Sequence, residues 1–489
     1  MLRVERHDPR LWGPAGSRRA AQHTSTDPWP GVSRINPRES VGCPSAVFRF
    51  GRINRMRISA VMCLLSASLL SAAEPAGEIG PNDWPTWRGP LYSGVATDKD
   101  PPVHWSASQN VVWKVTVPGR GHSSPTIVGS QVVLQTADET QQTQSVIVFD
   151  RSTGKRLWQT QLNRGSFPER INPKNTHASS TVAGDGTRFF AVVLHHDSIH
   201  VTALACNDGK VLWQQQIGPF VPDEYRNGYA ASPLIYRGTL IVLAECDGGS
   251  YMVALERGSG KEVWRTPRPS RVSYSSPALA HVAGRDQLLI SGCDKVAGFD
   301  PSSGKRLWAV DATTMATSGT MVWHKDLAFA SGGFPKAETV CVRADGSGEI
   351  VWKNLQQCYE QSMLIHDGFL YAMNDGGIVF CWRATDGEEM WKFRLRGPVS
   401  ASPVLAAGKI YISNELGTTY VFQASSKKYI EVARNQLGDE AFATPSICGG
   451  QLFTRVAYFE GDQRREVLYC ISERAMTQLP AGTLSGIER

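Results

Sequence analysis

The chain reads as an all-β protein, an eight-bladed β-propeller of four-stranded antiparallel blades, and three observations predict this. Glycine followed four residues later by tryptophan occurs at Gly154/Trp158, Gly209/Trp213, Gly260/Trp264, Gly304/Trp308, Gly348/Trp352 and Gly387/Trp391, at intervals of 55, 51, 44, 44 and 39 residues. A second landmark recurs at Ser124-Pro125, Ser232-Pro233, Ser276-Pro277, Ser402-Pro403 and Thr444-Pro445, with degenerate versions at Ser180-Thr181, Gly319-Thr320 and Ser362-Met363. Between landmarks lie short alternating runs rich in Val, Ile, Tyr and Phe, broken by Gly, Asp and Asn, which is the pattern of strands and turns. A four-stranded antiparallel unit repeated at about 40–55 residues is a propeller blade.

The first unit supplies Pro125–Val128, Gln131–Thr136, Ser145–Asp150 and Arg156–Leu162 as strands. The turn Asp150 to Gly154 joins the third to the fourth, with glycine taking a positive φ. The tryptophan that follows stands on the outermost strand, where a flat ring can wedge against the next blade; Trp113, Trp158, Trp213, Trp264, Trp308, Trp352 and Trp391 are the expected docking residues. The eighth unit, Pro445 to Ser472, lacks its Gly-x-x-x-Trp strand, whereas Asn110-Val-Val-Trp113-Lys114 stands alone at the front. The N-terminal strand is therefore expected to complete the last blade, leaving no open sheet edge between the chain ends.

The flanks divide differently. Residues 1–55 hold ten Arg against four acidic residues, 10 − 4 = +6, which is the whole formal charge of the chain. Met56-Arg57, the apolar run Ile58–Leu70 and the small residues Ser71-Ala72-Ala73 form a signal peptide over 56–73, too short to span a bilayer. That placement leads us to expect 1–55 to be an Arg-rich leader, either upstream of a start codon called too early or disordered, with export to the periplasm or beyond. Cleavage after Ala73 leaves 51 − 11 = 40 basic and 45 − 4 = 41 acidic residues, a net −1 that removes the argument for nucleic acid. Residues 74–104 are an N-terminal segment packing on the propeller, 105–472 the ring, and 473–489 a tail. Beyond Cys43 and Cys63, eight cysteines remain. Cys206, Cys341, Cys381 and Cys470 fall in strand-like runs, and no CxxC or adjacent pair offers zinc or dithiol chemistry.

With these residues in hand, Asp150-Arg-Ser-Thr-Gly154-Lys-Arg-Leu-Trp158 and Asp300-Pro-Ser-Ser-Gly304-Lys-Arg-Leu-Trp308 resemble the tryptophan-docking repeat of the pyrroloquinoline-quinone (PQQ) propellers, over about residues 84–472. The resemblance implies the propeller fold and two alternative trades. In one branch, quinoprotein alcohol and glucose dehydrogenases hold PQQ and calcium over the channel. In the other, BamB-like propellers bind proteins without a cofactor. Trp84-Pro-Thr-Trp87-Arg-Gly-Pro90 looks like the segment that precedes the propeller in the first branch. The vicinal disulfide of the alcohol dehydrogenases is missing from this sequence, and no oxygen-rich cluster declares a calcium site.

Any ligand belongs at the channel mouth, which the segments before each landmark reach. Their alignment gathers His122, His177, Tyr229, Tyr274, Tyr359, Glu360 and Phe442, with Arg120, Arg226 and Arg271 close by. Trp-to-landmark connections take 11–13 residues in most units but 23 after Trp158 and 20 after Trp213. The additions, Asn163–Asn175 and Pro219–Asn227, carry Phe167, Phe220 and Tyr225 in exposed-looking positions, and long loops on rigid scaffolds often carry function. Asp197, Asp247, Asp294, Asp375 and Glu415 in the second hairpins, with His195-His196, read as turn chemistry rather than a metal ring. No nucleophile elbow, zincin, phosphate-loop or Rossmann motif occurs, so no catalytic or metal residue is assigned. The expectation is an exported, monomeric, non-catalytic binding or scaffold module that takes a protein, small-molecule or sugar ligand over blades one to three. The alternative is a PQQ- and calcium-dependent dehydrogenase of alcohols or sugars.

Overall fold

The computed structural model describes residues 79–97, 101–223 and 225–473; the leader, the signal peptide and the tail after residue 473 lie outside them. Thirty-two strands form eight separate four-stranded sheets, and among the described residues there is no α-helix. Blade 1 is Thr126–Val128, Gln131–Asp138, Thr143–Asp150 and Arg156–Arg164, and the next six blades repeat this order along the chain. No helix among these residues is long and apolar enough to cross a membrane.

Blade 8 takes three strands from the end of the chain, Ser446–Cys448, Gln451–Glu460 and Gln463–Ile471, and its fourth from the front, Val111–Val117. The latter pairs antiparallel with the third, from Val111 opposite Ile471 to Val117 opposite Glu466. Blade 8 is also tied to blade 1 by Arg455, whose Nη1 donates to Gln135 O at 2.8 Å while its Nε donates to Glu466. The Ser446 hydroxyl donates to Pro125 O at 2.6 Å.

The core is a series of layers between neighbouring blades. One layer joins Phe190, Val192 and Val201 of blade 2 to Leu240, Val242 and Val253 of blade 3, and others repeat around the ring. Second and third strands are therefore buried on both faces, as in Gln131–Asp138, while fourth strands such as Arg156–Arg164 are largely exposed.

The repeated tryptophans sit at these layers. A Cβ built on Gly154 would lie 2.7 Å from the Trp113 ring, on Gly209 2.4 Å from Trp158, on Gly260 2.6 Å from Trp213, on Gly304 2.4 Å from Trp264 and on Gly387 2.7 Å from Trp352. Each ring thus covers the glycine of the following blade. Indole N–H groups of Trp113, Trp158, Trp213, Trp352 and Trp391 donate to the next blade's turn, at Arg151 O, Cys206 O, Arg257 O, Ala384 O and Ser425 O. Trp308 departs from this, donating to Gln287 Oε1 in its own blade, and Val310 rather than Trp308 lies nearest Gly348.

A feature absent from the sequence reading is a β-bulge just before the ring position in every blade. In blade 1, Val148 pairs with Trp158 and Phe149 with Arg156, so Leu157 is the extra residue and is turned outward, 45% exposed. The same slip occurs in blades 2 to 8. In blade 7 the ring position is Ala433, and Trp105 from the N-terminal region packs in its cluster, anchored by Trp105 N–H to Asn435 Oδ1 at 3.0 Å.

Residues 79–97 lie along the innermost strands. Trp84 bridges Ile127 of blade 1, Gly184 N–H of blade 2 donates to Pro85 O, Tyr92 OH donates to Ile235 O of blade 3, and Val95 bridges Leu405 of blade 7. Arg88 is fully enclosed, and burial pushes its guanidinium down to about 9. It donates to Pro403 O at 2.7 Å, Met363 O at 2.6 Å and Ser93 O at 2.9 Å.

Candidate functional site at the channel mouth

The landmarks build the floor of the site through a hydrogen-bonded belt. Backbone N–H groups donate to the next blade's hydroxyl in the steps Ser124 to Thr181, Thr181 to Ser232, Ser232 to Ser276, Thr320 to Ser362, Ser362 to Ser402 and Ser402 to Thr444, at 2.9–3.1 Å. This explains why a hydroxyl recurs here, and it corrects two alignments. In blades 2 and 5 the residues equivalent to the landmark serine are Thr181 and Thr320, one position later than the pairs Ser180-Thr181 and Gly319-Thr320 imply.

Counting from these hydroxyls, the residues two positions earlier are His122, Ser179, Ala230, Tyr274, Ser318, Glu360, Ser400 and Phe442, and all eight line one cavity of about 200 Å³. The segments are extended, so residues two apart share a face. Trp87 is the one lining residue from the N-terminal segment; its indole N–H donates to Thr320 Oγ1 at 2.8 Å, fixing the ring at the level of the belt.

Of the ten expected residues, the structure brings His122, Tyr274, Tyr359, Glu360 and Phe442 to this cavity. The other five stand elsewhere. His177 and Tyr229 line a separate small cavity behind it, His177 stacked on Phe167 at 4.0 Å and Tyr229 OH donating to Leu243 O. Tyr229 is three positions before its hydroxyl rather than two, and so out of register with the mouth-facing set, whereas His177 lies in a turn at residues 177–178 where the extended alternation does not hold. Arg120 turns sideways to Pro173 O and Glu139, Arg271 pairs at 4.0 Å with Asp294, and Arg226 is exposed. Phe220 corrects another expectation: it is 1% exposed, packed edge-on against Tyr229, and Tyr225 is half-buried against Phe334.

The two long connections close the rim. Asn172 Nδ2 donates to Asn227 Oδ1 at 3.3 Å and Asn175 Nδ2 to Asn227 O, so the loops after blades 1 and 2 clasp each other. Lys174, on the first loop, reaches blade 7, where Nζ lies 2.7 Å from Glu415 Oε1; Ser400 Oγ donates to the same oxygen at 2.6 Å. Sequence reasoning missed Trp87, Lys174 and the three asparagines. Loop length was the available signal, and it pointed to the two loops that bring Asn172, Lys174, Asn175 and Asn227 to the cavity without naming those side chains.

The electrostatics are lopsided. Burial pushes the Glu360 carboxyl above the usual carboxylate range, against the opposing bond to Ser400 and the charge of Lys174. Burial does the same to Asp375, against a bond from Gln361. At Lys174 burial works to lower the pKa, but the bond to Glu415 and the charges of Glu360, Glu415 and Asp375 together outweigh it and hold the ammonium above its ordinary value. His122 stacks on Phe442 at 4.7 Å; burial, then Arg120, Arg455 and Arg464, hold it well below the usual imidazole range, so it is neutral at pH 7.

These groups do not fit PQQ and calcium. Calcium takes six to eight converging oxygens, yet among the described residues no three His, Cys, Asp or Glu side chains could hold a metal ion. The ammonium of Lys174 already occupies the charge-neutralising position beside Glu415. A polycarboxylate quinone would meet the Glu360 carboxyl among the residues lining the cavity. The eight cysteines of the ring are free thiols with no adjacent pair.

A family model described as "Outer membrane protein assembly factor BamB" matches residues 88–227, 142–393 and 336–429. The chain is 22% identical over 367 residues to the outer membrane protein assembly factor BamB of Bordetella pertussis, covering 69% of this chain and 82% of that one. It is 26% identical over 206 residues to the BamB of Burkholderia pseudomallei, covering 41% and 47%. Among solved structures, a europium-containing methanol dehydrogenase superposes with a TM-score of 0.60 at 11% identity, over 80% of this chain and 98% of that one. BamB from Moraxella catarrhalis superposes with 0.52 at 14%, over 73% and 96%. At such identities the solved structures speak for the fold alone, whereas the family model spans most of the ring: the chain belongs to the PQQ-like propeller family described as outer membrane protein assembly factor BamB.

Proposed function

We propose that this protein is an exported, non-catalytic propeller of the cell envelope, a binding or scaffold module whose ligand face is the channel mouth over blades one to three. The observation that carries the reading is the chemistry of the mouth. Its amides are engaged with one another across two loops, and its lysine with a carboxylate, so the groups serve to shape a recess rather than to move protons or hold a cofactor. The relatives are named for assembling outer-membrane proteins, which supports a protein partner in the periplasm that approaches the loops 163–175 and 219–227. The signal-peptide pattern over 56–73 supports export.

The dehydrogenase reading is favoured by one observation, an indole and asparagine amides lining the same cavity at the channel mouth, and it makes an opposite forecast. Incubating the purified protein with PQQ and calcium, dialysing, and assaying dye reduction over alcohols and sugars separates the two. The scaffold reading expects no retained quinone absorbance and no turnover; reproducible turnover overturns it.

A further inference from the structure

We infer that the channel mouth is a carbohydrate site that takes one uncharged pyranose ring, whether free or at the end of a glycan chain. The inference rests on the mouth being a binding face and narrows it to a ligand class.

Size comes first. A cavity of about 200 Å³ falls below the roughly 300–1,000 Å³ of pockets that engulf drug-sized molecules, and suits a single small ring.

Shape and polarity come second. Trp87 is tethered by its indole N–H, leaving its π face as a fixed apolar platform, and Tyr274 is pinned by its OH to Tyr225 O at 2.9 Å. Apolar faces with a few directed polar groups are what a sugar presents in reverse, with C–H faces and an equatorial rim of hydroxyls.

Unmet hydrogen bonds come third. Ser124 is 2% exposed and lines the cavity, and its hydroxyl has no partner in the protein although its backbone N–H is engaged in the belt. The Nε2 of His122, two residues earlier on the same face, is likewise buried and unpartnered. Leaving such groups unpaired costs about 1–3 kcal/mol each, and a ligand hydroxyl, being donor and acceptor at once, satisfies either.

Charge decides the last choice. On the side of the cavity that carries Lys174, Glu360 lines the wall and acts on the ammonium together with Asp375 and Glu415, so a carboxylated or phosphorylated sugar would be repelled there and a neutral one accepted.

The test uses the exported protein at pH 7.5, with tryptophan fluorescence and ligand-observed NMR. The probes are methyl glucoside and N-acetylglucosamine as free rings, chitotriose as a chain end, and glucuronate as the charged counterpart. The expected result is saturable binding of at least one neutral probe, binding of glucuronate weaker by about tenfold or more, and loss of about tenfold in Trp87→Ala and in the smaller change Ser124→Ala. Ser124→Ala keeps the backbone donor of the belt, so it remains informative if Trp87→Ala fails to fold. The inference is overturned if no neutral probe saturates up to about 50 mM, if glucuronate binds equally well, or if both folded variants bind like wild type. Failure here with continued capture of an envelope protein would sink the carbohydrate assignment alone and leave the scaffold reading standing, whereas PQQ-dependent turnover would sink the latter.

Discussion

Gly209 shows what one position does for two blades. It sits at φ +73°, where side chains are rarely found, and an added Cβ would fall 2.4 Å from the Trp158 ring of the preceding blade. Its carbonyl also accepts the Thr160 hydroxyl at 2.7 Å. Gly129, at φ +55°, has nothing within 4 Å of the same virtual atom. Gly209→Ala is therefore expected to lose about 2 kcal/mol or more, combining backbone strain with displacement of a packed ring, and Gly129→Ala about 1 kcal/mol for strain alone. Urea unfolding of the two variants checks this, and equal midpoints would count against ring-on-glycine packing. The glycine and the tryptophan were both legible because their spacing repeats. The bulged residue between them was not, since Leu157, Leu212 and Val263 look like ordinary strand residues until the register is known.

At the scale of elements, the strands were readable almost to the residue, because each is short, alternating and bounded by turn residues. Blade 1 extends two residues beyond the reading at the second and fourth strands and begins two earlier at the third. The site was readable only in part, for a reason of parity. Residues before a landmark were gathered by nearness, yet an extended segment sends alternate side chains to opposite sides. Glu360 and Phe442 therefore reach the mouth, and Tyr229 does not. Tyr359, one residue off the mouth-facing set yet lining the cavity, shows that parity is broken where the chain bends. The strand Val111–Val117 gives the prediction at this scale. Its removal uncovers the third strand of blade 8, including Leu468 and Cys470, and deletes Trp113 from the layer with Gly154. Deleting residues 105–116 should lower the melting temperature severely or yield insoluble protein, because it opens the ring and exposes an unpaired edge. Melting like the full chain would refute closure by pairing.

Across the whole molecule, the ring is held twice, around its circumference by the belt and the interblade layers, and through its centre by residues 79–97. Arg88 is the pivot of the second attachment, because its guanidinium satisfies carbonyls of blades 6 and 7 at once. Arg88→Met keeps length and apolar contact but strands those carbonyls. We expect a loss of about 2–4 kcal/mol and faster proteolysis of the N-terminal segment, followed by mass spectrometry of the released fragments. Wild-type melting with unchanged cleavage would show that the segment merely rests on the ring. The same segment supplies Trp87 to the mouth, which couples stability to site shape.

The sequence by itself determined the blade, its repeat number and the way the ring closes, because those depend on local periodicity and on an unpaired strand at each end of the chain. It also located the mouth and the two unusual loops. Only the tertiary structure decided which side chains meet there. Lys174 and Glu415 are 241 residues apart, and Trp87 reaches Thr320 across 233. Such meetings are set by how eight blades curve around one axis, a geometry that no spacing along the chain encodes.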